Sequence, residues 1–391
     1  MCSVEKMLNG ADENQEKKIT ILVKKVVNDP SSISSFPYSG REGQVACSVA
    51  NKVYIFGGVE QGQGEEPKET NELITFDIVS SKWSQPQVTG TIPPPRSASS
   101  LVAVGTNIYL FGGLSHMSGW FDDIFVFDTL TNSWSILDAD GIKPRARDKL
   151  QAVAIDTNIY YFGGFGPKSD EAEAADLEGN DDDEDDDDIP EAHDQDGAEF
   201  GWFNDLYVLD TVSCRWSQPM QMNLGVPTQR AAHSMCAINR HLIIFGGRDI
   251  EERQNDLHIF NVDTRKWLTD LTVTGQVPAP RSFHSMTAIG DKAVLFGGRG
   301  RNDQHFDSFD VFDFAKKQWL PVAIEGDKPA ARGQHCTVTV GDYIFLFGGS
   351  GNFSPETMQC QTFYTDAFFI KTDNFSSSAQ SNGLSAGSGD C

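Results

Sequence analysis

The chain has 391 residues, with 31 Lys or Arg against 56 Asp or Glu and a formal net charge of −25. That length allows one large core or two ordinary domains, and an acidic balance without a long basic stripe excludes a nucleic-acid surface. Glycine is frequent (36 residues), and short β-branched and aromatic runs alternate with Gly, Pro, Asp and Asn, so the composition favours an all-β protein and no run is long enough to span a bilayer.

The N-terminal stretch "MCSVEKMLNGADENQEKK" has no apolar signal core. It leads into "KKITILVKKVV", a β-prone segment over about 17–27 that has no hairpin partner nearby. From residue 41 a repeat takes over. An aromatic-Gly-Gly string recurs as "IFGGV", "LFGGL", "YFGGF", "IFGGR", "LFGGR" and "LFGGS", with glycine pairs starting at Gly57, Gly112, Gly163, Gly246, Gly297 and Gly348. The intervals are 55, 51, 83, 51 and 51 residues, a period of about fifty with one insertion. Each unit opens on "PRxxHS" or a relative, runs through a strand to Gly-Gly, and continues after a variable loop into a strand such as "NDLHIFNVDT". That third strand ends near a tryptophan, Trp83, Trp134, Trp216, Trp267 or Trp319, and a short fourth strand leads to the next Gly/Pro turn. A fifty-residue unit of four strands is the kelch period, which predicts a six-bladed kelch β-propeller over 41–371, all-β, with four antiparallel strands per blade.

The sixth unit supplies a third strand in "TFYTDAFFIKTDNF" but no tryptophan and no fourth strand. An open ring leaves two bare sheet edges, so the N-terminal segment within 1–40 is expected to close the ring as the missing strand. The 83-residue interval holds "SDEAEAADLEGNDDDEDDDDIPEAHDQDGAEF", residues 169–200, with 17 Asp or Glu and no Lys or Arg; outside it the net charge is −8. Such a run is too charged to pack and reads as a disordered acidic insertion (167–200) within blade three, either a tolerated solvated loop or a lure for a basic partner. Residues 372–391 are Ser/Gly-rich and read as a disordered polar tail.

The seven cysteines are odd in number, widely spaced and without a CxxC, so free thiols in a reducing compartment, cytoplasmic or nuclear, are expected, with neither disulfides nor a metal site. No cofactor and no membrane association are expected. Arg96, Arg230, Arg281 and Arg332 recur at one point of the repeat, as do His233, His284 and His335, and a residue that recurs in successive blades is architecture before it is a site.

Binding specificity belongs on loops that depart from the repeat. Up-and-down strands put each Gly-Gly loop on the same face as each "PRxxHS" lead-in. The residue after Gly-Gly is Val59, Leu114, Phe165, Arg248, Arg299 and Ser350, so blades four and five alone carry arginine there, and their loops add Arg253 and Arg301. The next lead-in brings Ser282 and Phe283. Blade three reads "RARDKL", with Arg147, Asp148 and Lys149, and its loop ends at Trp202 in "GWFNDL", which blade two matches with Trp120 in "GWFDDI". Paired guanidiniums suit an anionic group, because each planar fork donates two parallel hydrogen bonds to a carboxylate. The alternative is that Arg248 and Arg253 pair with Asp249, Glu251, Glu252 or Asp256 in a solvated loop.

"RARDKLQAVAI…YYFGGFG", "GWFNDLYVLDT…WSQP", "QRAAHSMCAI", "FGGRDIEERQNDLHIFNVDT" and "PRSFHSMTAI" together resemble the kelch-domain-containing receptors that bind C-terminal degrons for cullin-2 ubiquitin ligases. The resemblance implies a face pocket for a substrate's terminal carboxylate, with Arg248, Arg253 and Ser282 as anchors and Lys149, Phe165, Trp202 and Phe283 as walls; Arg147, Arg299 and Arg301 are further cations offered by the loops. Some positions where the family carries aromatics appear here as Val59, Phe165, Phe283 and Gln334; phenylalanine keeps the wall without a polar tip, and Val59 and Gln334 change it more. The helical segment by which those receptors dock a ligase adaptor has no counterpart in the polar residues 372–391. The expected function is non-catalytic capture of a protein or peptide C-terminus. The alternative is a kelch scaffold binding a folded partner in trafficking or cytoskeletal signalling. An oxidase-type propeller would need a His/Tyr/Cys ligand set, and no such spacing, nor any nucleophile–base pairing, stands out.

Overall fold

The computed structural model describes residues 18–26, 39–61, 66–169 and 200–372, and every regular element among them is a β-strand. Blade one is Val45–Val49, Lys52–Phe56, Leu73–Asp77 and Lys82–Ser84. The same meander repeats five more times, from Ser100–Val104 to Ser133–Ile136, Gln151–Ile155 to Arg215–Ser217, Ser234–Ile238 to Lys266–Trp267, Ser285–Ile289 to Gln318–Leu320, and from Cys336–Val340 onward. The second strand of each blade is covered on both faces by neighbours. This is why it reads as an unbroken apolar run rather than an alternating one: "VYIF" and "IYLF" are buried throughout.

Blade six has strands Cys336–Val340, Tyr343–Phe347 and Ala367–Thr372, and its fourth strand is Ile19–Lys25, antiparallel to Ala367–Thr372 with Ile21 opposite Thr372 and Lys25 opposite Phe368. The segment after blade five, Val322–Gly326, pairs with it in parallel on its other edge. Parallel pairing of a linker with the next blade's outermost strand recurs at Thr89–Gly90 on blade two and Asp140–Gly141 on blade three, so these linkers cap edges that would otherwise be bare.

Six apolar clusters hold the blades together, each spanning two neighbours. At the seams the tryptophan of one blade packs on the preceding blade: Trp134 meets Phe56 (5.5 Å between ring centroids), Trp216 meets Phe111 (5.4 Å) and Trp319 meets Phe245 (5.2 Å). Trp83 does the same with Phe347 (5.2 Å), which joins blade one to blade six. Blade six lacks a tryptophan, and buried Ile19, Ile21 and Val23 fill its seam with blade five.

A ring of backbone hydrogen bonds closes around the axis. The amides of Ala98, Lys149, Ala232, Phe283, Gln334 and Gly43 donate in turn to the carbonyls of Gly43, Ala98, Lys149, Ala232, Phe283 and Gln334, at 2.8–3.0 Å. All six residues have φ between 50° and 63°, left-handed backbone that only Gly43 adopts freely. Each of the other five gives up about 1–2 kcal/mol of backbone preference, offset by an inter-blade bond that joins residues far apart in the chain.

The repeat arginine is buried in all six blades, and Arg41 and Arg147 complete the set. In blades two to six its Nη1 donates to the first carbonyl of the following Gly-Gly at 2.9–3.2 Å. Its charge meets a carboxylate: Glu72 for Arg41, Asp123 for Arg96, Asp205 for Arg147, Asp256 for Arg230 and Asp366 for Arg332. The recurrent histidines clasp neighbours, with 2.8 Å between Ser234 Oγ and His284 Nε2 and between Ser285 Oγ and His335 Nε2.

The acidic run at 170–199 and the tail from 373 onward lie outside the described residues. At the insertion's ends Pro167 pairs with Phe200, so these two residues belong to the blade-three hairpin rather than to the insertion. Cys47, Cys214, Cys236 and Cys336 are free thiols, and burial pushes those of Cys236 and Cys336 up to about 12, too high for thiolate chemistry.

Candidate functional site

On the face that carries the Gly-Gly loops, each blade presents the same small framework. The residue after the repeat arginine bridges to the residue after Gly-Gly: Glu42 to Val59, Ser97 to Leu114, Asp148 to Phe165, Ala231 to Arg248, Ser282 to Arg299 and Gly333 to Ser350. The residue after Gly-Gly also faces a hairpin partner, which is Trp120 in blade two, Trp202 in blade three, Arg253 in blade four and His305 in blade five. The framework is common, so the chemistry changes only through the side chains. Blades two and three offer Leu114, Trp120, Phe165 and Trp202, and blades four and five offer Arg248, Arg253, Ser282 and Arg299.

Arg248 and Arg253 are directly opposite in the blade-four hairpin. Arg253 is 5% exposed and its Nε donates to Ser282 Oγ at 3.0 Å; Ser282 itself is fully buried. Arg299 lies beside Ser282 and stacks on the Phe353 ring, 3.7 Å from guanidinium carbon to centroid. The carboxylate in this cluster comes from blade five: Asp303 accepts from Arg299 Nε at 2.9 Å and stands 3.4 Å from Arg253 Nη2. Neither the sequence pattern nor the resemblance points to Asp303 or Phe353, because both lie in variable loops; the four-residue step from Arg299 to Asp303 is the one local signal.

Three acids of the blade-four loop hold partners elsewhere in the framework. Asp249 is turned inward and accepts from the Glu251 and Glu252 amides (3.0 Å each), Thr228 Oγ1 (3.0 Å) and Gln254 Nε2 (2.9 Å), which pins the loop. Asp256 holds Arg230, and Glu252 pairs with Arg301 at 2.6 Å. That pair is half exposed and crosses from blade four to blade five. Arg147 is the blade-three member of the structural set: it is 2% exposed, bound to Asp205 and stacked 3.7 Å from the centroid of Phe203, so it is not a free cation of the face.

Lys149, Phe283 and Gln334 are left-handed residues of the axial ring and therefore sit at the mouth of the channel. Lys149 Nζ is 3.5 Å from Asp148, and Gln334 Nε2 donates to Glu42 at 3.1 Å. Phe165 packs edge-on against Trp202 (5.1 Å) and beside Trp120 (6.0 Å), a half-buried aromatic wall across blades two and three. The face thus has a basic half with a buried hydroxyl and an aromatic half, around a mouth lined by Lys149 and Phe283. Planar guanidiniums are donors for a carboxylate, and aromatic rings cover the apolar edges of an extended chain. Among the described residues no group of three or more His, Cys, Asp or Glu is placed to hold a metal ion, and no helix is long and apolar enough to cross a membrane.

The KLHDC2/KLHL20/DRC7 Kelch-repeats domain matches residues 20–178 and 193–381. Kelch domain-containing protein 1 of Mus musculus is 34% identical over 319 residues, covering 79% of this chain and 75% of the relative. Kelch domain-containing protein 2 of Bos taurus is 29% identical over 324 residues (80% and 76%), and Kelch domain-containing protein 3 of Rattus norvegicus is 28% identical over 335 residues (81% and 79%). With the six-blade repeat, the buried arginine set and these matches, the chain belongs to the Kelch-repeat family, whose propellers are generally non-enzymatic protein-interaction domains.

Proposed function

We propose that this face captures the C-terminal carboxylate of a peptide or protein chain. The observation that carries the reading is the cluster around Ser282: Arg253 donates to its hydroxyl, Arg248 stands opposite Arg253, and the Asp303 carboxylate lies between Arg253 and Arg299. Asp303 presents to the guanidiniums the group that a chain terminus would bring. A terminal carboxylate arrives at the end of an extended backbone, for which Phe165 and Trp202 form a flanking wall. Receptor for C-terminal degrons of a ubiquitin ligase is the biological form this reading takes.

The test is a set of peptides selected from a randomised C-terminal library, each measured with a free and an amidated terminus. The free acid is expected to bind at least ~10-fold more tightly, and Arg248→Ala and Arg253→Ala each to lose about 1.5–3 kcal/mol, the worth of a charged hydrogen bond. Equal affinity for acid and amide overturns the reading. The opposite face favours a second one, a scaffold for a folded partner. The turns between strands three and four of blades one to three expose Val79 (76%), Leu130 (77%) and Val212 (76%). If that face docks a partner, the triple Ser variant releases it and Arg253→Ala does not.

A further inference from the structure

Blade five breaks the structural arginine set. The position held by Asp123, Asp205, Asp256 and Asp366 in blades two, three, four and six is Ser308. Arg281 therefore meets a hydroxyl, with Nη1 3.3 Å from Ser308 Oγ, and its carboxylate, Asp310, stands back at 3.7 Å from Nη2. Arg281 is 2% exposed. Burial pulls its guanidinium down to about 10, with Asp310 opposing the shift, and burial raises the Asp310 carboxyl. This cation is poorly neutralised compared with its counterparts.

Its place in the fold matters because it touches each segment of the basic cluster. Arg281 immediately precedes Ser282. Its amide donates to Gln254, next to Arg253, at 3.1 Å, and its carbonyl accepts from Gly247, next to Arg248, at 2.9 Å. Its Nη1 donates at 3.0 Å to Gly297, two residues before Arg299. A carboxylate held at Ser282 thus lies next in the chain to a buried guanidinium whose counter-ion, Asp310 at 3.7 Å, stands farther off than the 2.5–3.0 Å carboxylates of the other five blades.

Resting on the carboxylate-capture reading, we propose that Arg281 is a positioning residue for that site: with Ser308 in place of the repeat aspartate and Asp310 standing off at 3.7 Å, its weakly compensated charge draws an anionic terminus to Ser282 without touching it. Ser308 is then the specificity switch, because restoring the carboxylate there turns blade five into an ordinary blade.

The experiment compares free-acid and amidated peptides on the full chain carrying Ser308→Asp, Ser308→Asn or Asp310→Asn. A unit charge acting across roughly 10 Å of protein interior is worth about 3- to 10-fold after screening. Ser308→Asp is expected to lower acid affinity by about that factor, leave amide affinity unchanged and raise the melting temperature. Asp310→Asn is expected to strengthen acid binding, and Ser308→Asn, the uncharged control, to leave the acid-to-amide ratio where it was. A merely structural Arg281 would shift both peptides together. If the ratio stays within twofold in Ser308→Asp and Asp310→Asn while Arg253→Ala abolishes it, this inference is overturned and carboxylate capture stands. If the wild-type chain shows no acid preference, carboxylate capture itself fails, and this inference with it.

Discussion

The closing strand makes the sharpest test of the fold. Ile19, Ile21 and Val23 are 6%, 0% and 3% exposed and pack against Ile289, Phe296, Val311, Ile344 and Ile370 in the seam between blades five and six. Leu22, on the other side of the same strand, is 39% exposed. Ile21→Ala removes three buried heavy atoms from a site enclosed by strands on both sides, and is expected to cost about 2–5 kcal/mol. Leu22→Ala, with the same strand and pairing, is expected to cost less than about 1 kcal/mol. Together the three buried side chains are worth roughly 5–9 kcal/mol, comparable with the whole stability of a typical domain, so deletion of residues 1–26 should leave no cooperatively folded ring. Urea unfolding followed by tryptophan fluorescence reads each variant, with an unchanged m-value marking a change in stability alone. If Ile21→Ala and Leu22→Ala agree within about 0.5 kcal/mol, the strand does not carry the seam and the argument is wrong.

Two further outcomes follow from the same architecture. Burial, aided by Arg230 for His233 and Arg332 for His335, lowers both imidazoles to about 3, and His284 is also held far below its ordinary value by burial and Arg281. These groups stay neutral when folded but take up protons when unfolded below about pH 6.5, so stability is complete above that pH and falls as pH drops towards 3, by about 1.4 kcal/mol per pH unit for each histidine. His233→Leu, which copies Leu150 of blade three, should reduce that slope between pH 6.5 and 4 by one proton's worth, measured by urea unfolding; an unchanged slope refutes it. Gly297→Ala should cost more than about 2 kcal/mol, because φ is +68° and a Cβ would come within 2.5 Å of the Arg332 carbonyl, whereas Gly290→Ala, at φ +59° with open space around it, should cost only the backbone preference of about 1 kcal/mol; equal midpoints in thermal unfolding would contradict this.

Sequence by itself determined the fold and its closure. A fifty-residue period, glycine pairs that permit left-handed backbone, and a final unit missing one strand all act locally, and local patterns survive in a string of letters. It also singled out Arg248, Arg253 and Ser282, through departure from the repeat and resemblance. Tertiary structure decided which charges are spent. Arg147 looked like a loop cation and is a buried partner of Asp205; Asp249 is turned inward and pins its own loop; Asp303, from the next blade, holds Arg299 and approaches Arg253. The axial ring that sets Lys149 and Phe283 at the channel mouth is equally invisible to local pattern. Each of these contacts joins residues of different strands or blades, and hydrogen-bond and ion-pair choice depends on distances of a few ångströms that only packing sets.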